Sequence, residues 1–105
     1  MTLEELNRIV SSRAEADPDE SWTAKLLAKG PAKCAEKFGE EAIEAIIEAA
    51  RGDRQKLANE TADLLFHLLV MLKACDVPLS DVMAVLDSRT GRSGITEKAE
   101  RSRES

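Results

Sequence analysis

At 105 residues the chain has the length of a single domain and leaves no room for a second. With 43% hydrophobic and 33% charged residues it is too apolar for a disordered chain and too often interrupted by charge for a membrane span. A net charge of −5 repels the phosphate backbone on which nucleic-acid affinity rests, so neither nucleic acid nor a membrane is an expected partner.

Trp22, Phe38 and Phe66 are the only aromatics, while Ala, Leu, Glu and Lys abound, so the expected fold is all-α. Thr2-Leu3-Glu4-Glu5 has the form of a capping box, and Leu3, Leu6, Ile9 and Val10 follow at helical spacing, which predicts a first helix over 3–16. Asp17-Pro18-Asp19 stops it. Ser21 is suited to cap a short helix from Trp22 to Ala28, and Gly30-Pro31 separates that from a long third helix over about 32–50. Arg51-Gly52-Asp53 offers a glycine C-cap followed by an aspartate N-cap, so a fourth helix to about Cys75 should fold back as a central antiparallel hairpin. After the break at Asp76 to Pro78, Ser80 is the expected cap of a fifth helix containing Val82, Met83, Val85 and Leu86. The expectation is a bundle of about five helices over residues 1–90, then a flexible polar tail over 91–105.

From Leu64 to Leu72 apolar side chains point in nearly every direction around the helix, more than one partner face covers. A second copy of the chain would cover the rest, making a homodimer; the alternative is a central helix in a monomeric bundle. Cys34 and Cys75 lack zinc-ligand spacing and read as reduced packing residues. The N-terminus has no signal-peptide pattern, so the expected location is the cytoplasm.

The chemistry-bearing pattern is Glu41-x-x-Glu44 on the third helix and Glu60-x-x-Asp63 on the fourth. Residues three apart share a helix face, because each step turns about 100°. In a hairpin turning at Gly52, residues whose numbers sum to 104 fall at one height: Glu44 beside Glu60, Glu41 beside Asp63, Lys37 beside His67 and Glu48 beside Lys56. Four carboxylates among Ile43, Ile46, Ile47, Leu64 and Leu68 repel one another unless a cation or proton intervenes. All-oxygen ligands suit Mg²⁺, with Mn²⁺ as an alternative, and such an ion implies a phosphate-bearing substrate. Glu40, turned about 100° from Glu41, is either a general base or a solvated side chain. Lys25, Lys29, Lys33 and Lys37 step by four and are candidates for phosphate contacts or plain surface charges. His67 either supports a ligand or packs; Trp22 either stacks on a base or plugs the bundle. A Glu-x-x-His di-iron site fits poorly, with His67 four residues after Asp63.

The segment SWTAKLLAKGPAKCAEKFGEEAIEAIIEA, followed by ETADLLFHLLVML, resembles the phosphoribosyl-ATP pyrophosphohydrolase family of the all-α NTP pyrophosphatase superfamily. The likeness runs from Leu3 into RSGITEKAERS. It implies a cytoplasmic, Mg²⁺-dependent homodimer that cleaves the α–β linkage of phosphoribosyl-ATP, the second step of histidine biosynthesis. It also implies metal ligation by Glu41, Glu44, Glu60 and Asp63, with Glu40 in the same element and Glu40 and Glu41 as the catalytic candidates. Relatives often carry Tyr at the positions of Trp22 and Phe66, so any hydroxyl contact supplied there is missing here. A house-cleaning NTP pyrophosphatase and a non-catalytic dimeric helical module are the competing readings.

Overall fold

The structure, a computed structural model, describes residues 1–91 as five α-helices with no strand among them. They are α1 (Leu3–Ala14), α2 (Trp22–Ala28), α3 (Pro31–Arg51), α4 (Arg54–Ala74) and α5 (Leu79–Thr90). The caps follow from the residues at the boundaries. Thr2 Oγ1 accepts from the Glu5 amide at 3.1 Å, Ser21 Oγ from Ala24 at 3.2 Å and Asp53 Oδ1 from Lys56 at 3.0 Å, each satisfying an amide that has no partner within its helix.

The hairpin turn is built by Gly52, whose φ of 74° is the left-handed conformation that an L side chain resists. The Asp53 amide then reaches back to the Glu48 carbonyl at 3.2 Å, closing α3, and Asp53 immediately opens α4. The end of α4 makes the same step with an aspartate, Asp76 at φ 57°, and the Val77 amide donates to the Leu72 carbonyl at 3.0 Å.

One expectation needs correction. Ser80 does not cap α5: the helix begins two residues earlier than that cap implies, with Pro78 at the cap position and no side-chain hydrogen bond there, because the φ of proline suits the extended entry. The helix also runs through Arg89 and Thr90, where Thr90 Oγ1 donates to the Leu86 carbonyl at 2.8 Å. The expected tail, apart from Gly91, lies outside the described residues.

The core is one cluster of Val10, Leu26, Cys34, Leu69, Val70 and Leu79, with Leu3, Leu6, Phe66 and Met83 against it. It lies on one side of the hairpin, where α1 and α2 cross α4. The other side is bare: Ile43, Ile46 and Ile47 of α3 are 60%, 65% and 46% exposed, and Leu65 of α4 is exposed beside them in type. The radius of gyration is 15.9 Å against about 13 Å for a compact chain of 100 residues, so the helices form an elongated slab. No helix of the described residues is long and apolar enough to cross a membrane.

Candidate functional site

The α3–α4 hairpin brings the two acidic pairs together. Ligand oxygens of Glu41, Glu60 and Asp63 lie within 4.8 Å of one another. Glu44 stands at the edge of this trio, outside the 4.8 Å group, but its carboxyl is close enough to raise the pKa of both Glu41 and Glu60. For Glu41 the largest cause is burial, which penalises the charged form, followed by the Glu44 charge. For Glu60 a shared hydrogen with Glu44 comes first, then burial. Buried Oε2 atoms of Glu41, Glu48 and Glu60 have no hydrogen-bond partner. Buried carboxylate oxygens with neither proton donor nor cation are costly, and a divalent ion is the ligand that this oxygen-only set fits.

Glu48 Oε1 lies 3.7 Å from Arg51 on its own helix, and its charge adds to the pKa rise of Glu60. The acidic stripe on α3 therefore extends one turn beyond Glu44. Lys37 and His67 do come level, for Lys37 contributes to lowering the His67 pKa, after burial as the main cause. The imidazole is therefore kept neutral near pH 7, and its Nε2, 3.9 Å from Glu41 Oε1, is beyond hydrogen-bond range.

The lysines do not form one stripe. Gly30, at φ 97°, breaks the helical path between α2 and α3, so Lys25 and Lys29 sit on one side of the break and Lys33 and Lys37 on the other. Lys33 pairs with Glu36 at 3.3 Å and Lys37 with Glu40 at 2.9 Å. The Lys37 ammonium holds the Glu40 carboxyl below its ordinary range, and Glu40 raises Lys37 in return. Glu40 thus stands outside the trio, held by Lys37. Lys25 and Lys29 are exposed.

An open cleft of about 690 Å³ leads to Glu41 and Asp63. Trp22 stands at its wall, half exposed, edge-on to His67 with centroids 5.3 Å apart, and Phe66 meets the other side of the imidazole at 5.7 Å. Arg13, which sequence reasoning passed over, also lines the cleft and lies over the Phe66 ring at 6.0 Å. The Ser21 hydroxyl, donating to the Arg13 carbonyl at 3.4 Å, ties the end of α1 to the start of α2 at this wall. No local spacing links Arg13 to residues 28 to 50 positions later; only the tertiary crossing of α1 and α4 does.

The profile of the phosphoribosyl-ATP pyrophosphohydrolase family matches residues 3–90. A protein of Cereibacter sphaeroides called phosphoribosyl-ATP pyrophosphatase is 71% identical over 99 residues, covering 94% of this chain and 96% of its own length. Proteins of the same name from Paracoccus denitrificans and Dinoroseobacter shibae are 68% and 66% identical over 99 residues, 94% of this chain and 92% and 97% of theirs. The all-α hairpin, the facing acids and this near full-length likeness agree, and the chain belongs to the phosphoribosyl-ATP pyrophosphohydrolase family.

Proposed function

We propose that this chain is a hydrolase that splits phosphoribosyl-ATP into phosphoribosyl-AMP and pyrophosphate, a Mg²⁺-dependent step of histidine biosynthesis in the cytoplasm, with Mn²⁺ able to substitute. The single observation that carries the chemistry is the convergence of Glu41, Glu60 and Asp63 from facing helices within 4.8 Å. Glu41, Glu60 and Asp63 would hold the ion, with Glu44 completing the set from the edge. When bound, the ion neutralises phosphate charge and lowers the pKa of a water.

The chain's own residues then have separable tasks. Glu41 titrates high while the cluster holds no cation, so a bound ion would favour its ionised form, and a carboxylate left free of the ion would accept the proton of the attacking water. Glu40 would have to leave Lys37 before it took that part. Trp22 offers a half-exposed indole face for the adenine, braced by the buried His67 ring. Lys25 and Lys29 are exposed cations that do not line the cleft, and Lys33 and Lys37 would reach phosphate only by exchanging Glu36 and Glu40 for substrate.

The test is pyrophosphate release in Mg²⁺ from phosphoribosyl-ATP and from a panel of common NTPs. Strong preference for phosphoribosyl-ATP, abolished by chelator, is the expected outcome. Preference for a common NTP would move the chain to house-cleaning chemistry, and no turnover on any substrate would leave a helical interaction module.

A homodimer belongs to the same proposal. Three isoleucines of one α3 face at 46–65% exposure are an apolar strip of the kind that a second copy covers. Light scattering should give twice the 11.5 kDa chain mass, and Ile46→Glu should halve it.

A further inference from the structure

We infer that Arg13 is a specificity-determining residue: its guanidinium receives the 5-phosphate of the N-linked ribosyl group, the part of the substrate that plain ATP lacks. The inference rests on the proposed reaction and concerns the same cleft.

Phosphoribosyl-ATP is anionic at both ends, with a triphosphate on one ribose and a monophosphate on the other. The acid trio with its ion accounts for the first end. The second needs a cation of its own. Among the described residues Arg13 is the only permanent cation lining the cleft, which otherwise carries the acids Glu20, Glu41 and Asp63 and the neutral His67. Lys33 and Lys37 already hold carboxylates at 3.3 and 2.9 Å, whereas among the described residues no carboxylate lies within ion-pair distance of Arg13. Phe66 supports the flat guanidinium from one side at 6.0 Å and leaves its fork of donors for a phosphate, which Arg binds in bidentate fashion. Trp22 lines the same cleft, so a purine against its indole has both Arg13 and the carboxylates Glu41 and Asp63 among its surroundings. A cleft of about 690 Å³ falls in the range that encloses a ligand of this size.

Arg13→Met keeps an apolar stem over Phe66 and removes the charge; Arg13→Ala removes both; Arg13→Lys restores charge without the fork. The expected result is a rise of about 10- to 100-fold in KM for phosphoribosyl-ATP in the Met and Ala variants, with kcat held and partial rescue by Lys. Ribose 5-phosphate should compete with phosphoribosyl-ATP in the wild type and lose that competition in Arg13→Met, while competition by ATP stays within about threefold of the wild type. Unchanged KM in Arg13→Met, an equal loss of ATP competition, or a wild type indifferent to ribose 5-phosphate would each overturn the assignment. A wild type that releases no pyrophosphate from phosphoribosyl-ATP fails the reaction itself, a separate result read in the control arm.

Discussion

Two clefts of almost equal volume open on this molecule. One, about 700 Å³, runs between α1, the end of α4 and α5; the other, about 690 Å³, lies between Trp22 and the acidic hairpin. In the first, Glu4, Asp76 and Asp87 stand in the company of Arg8 and Lys73, and all five are exposed. In the second, Glu41 is mostly buried, one of its oxygens has no partner, and its neighbours are further acids. Size does not separate the two, but unresolved charge does. Water and nearby cations make surface carboxylates inexpensive, whereas clustered, half-dry carboxylates persist at a cost to stability that a ligand must offset.

The strongest way to break the comparison is to neutralise one acid in each cleft. Glu60→Gln and Asp63→Asn should lower kcat for pyrophosphate release by roughly 10²- to 10³-fold, the scale of losing one electrostatic partner of a reacting phosphate. Asp87→Asn and Glu4→Gln should stay within about twofold. Equal losses in both clefts would show that the acids of the hairpin have no special standing.

Metal binding should appear in stability as well as in rate. At a Mg²⁺ concentration 100 times Kd, a site present only in the native state stabilises by about 2.7 kcal/mol. A melting curve with and without Mg²⁺ should show a rise in the wild type and in Asp87→Asn, and little in Glu60→Gln. No rise in the wild type at tens of millimolar Mg²⁺ would contradict the site.

The next effect is smaller and has the opposite sign to most mutations. The Glu41 carboxyl titrates above its ordinary value of 4.5, so its contribution to stability is present below that value and is lost as pH rises through the raised one. At pH 7 in chelator, Glu41→Gln should therefore be more stable than the wild type and melt at a higher temperature. The gap should close as pH falls through the raised pKa, because the wild type then takes up the proton itself. A Glu41→Gln protein less stable than the wild type at pH 7 would mean that the cluster is already compensated.

These contrasts also mark what the chain's local pattern discloses. The hairpin was legible because a glycine and a capping aspartate at positions 52 and 53 set its turn, and helical periodicity then brings Glu41, Glu44, Glu60 and Asp63 together. Periodicity fixes height along a helix and not lateral reach, which is why Glu44 lands at the edge and why Glu48 finds Arg51 on its own helix. A period of four has meaning only along one continuous helix, and Gly30 interrupts the lysine series between Lys29 and Lys33. At α5 the serine signal lost to the backbone preference of Pro78. Arg13 was invisible because its relation to the acids exists only once α1 packs across α4.

The smallest expected effect bears on the division of labour between two adjacent glutamates. Glu40 and Glu41 are neighbours in sequence, yet one is held by Lys37 at 2.9 Å with a lowered pKa and the other sits among acids with a raised one. An exposed ion pair three residues apart on a helix is screened by water and contributes little, so Glu40→Gln and Lys37→Met should each leave Tm nearly unchanged. Because its proton is held off by the neighbouring ammonium, Glu40 is the weaker base of the two, and Glu40→Gln should lower kcat by less than about tenfold where Glu41→Gln lowers it by 10² or more. A double variant separates the cases further: if Glu40 acts only through its surface pair, removing Lys37 as well adds nothing to the rate loss. A large kcat loss in Glu40→Gln alone, with Tm unchanged, would transfer the proton-accepting role to Glu40 and require that substrate binding first draw Lys37 away.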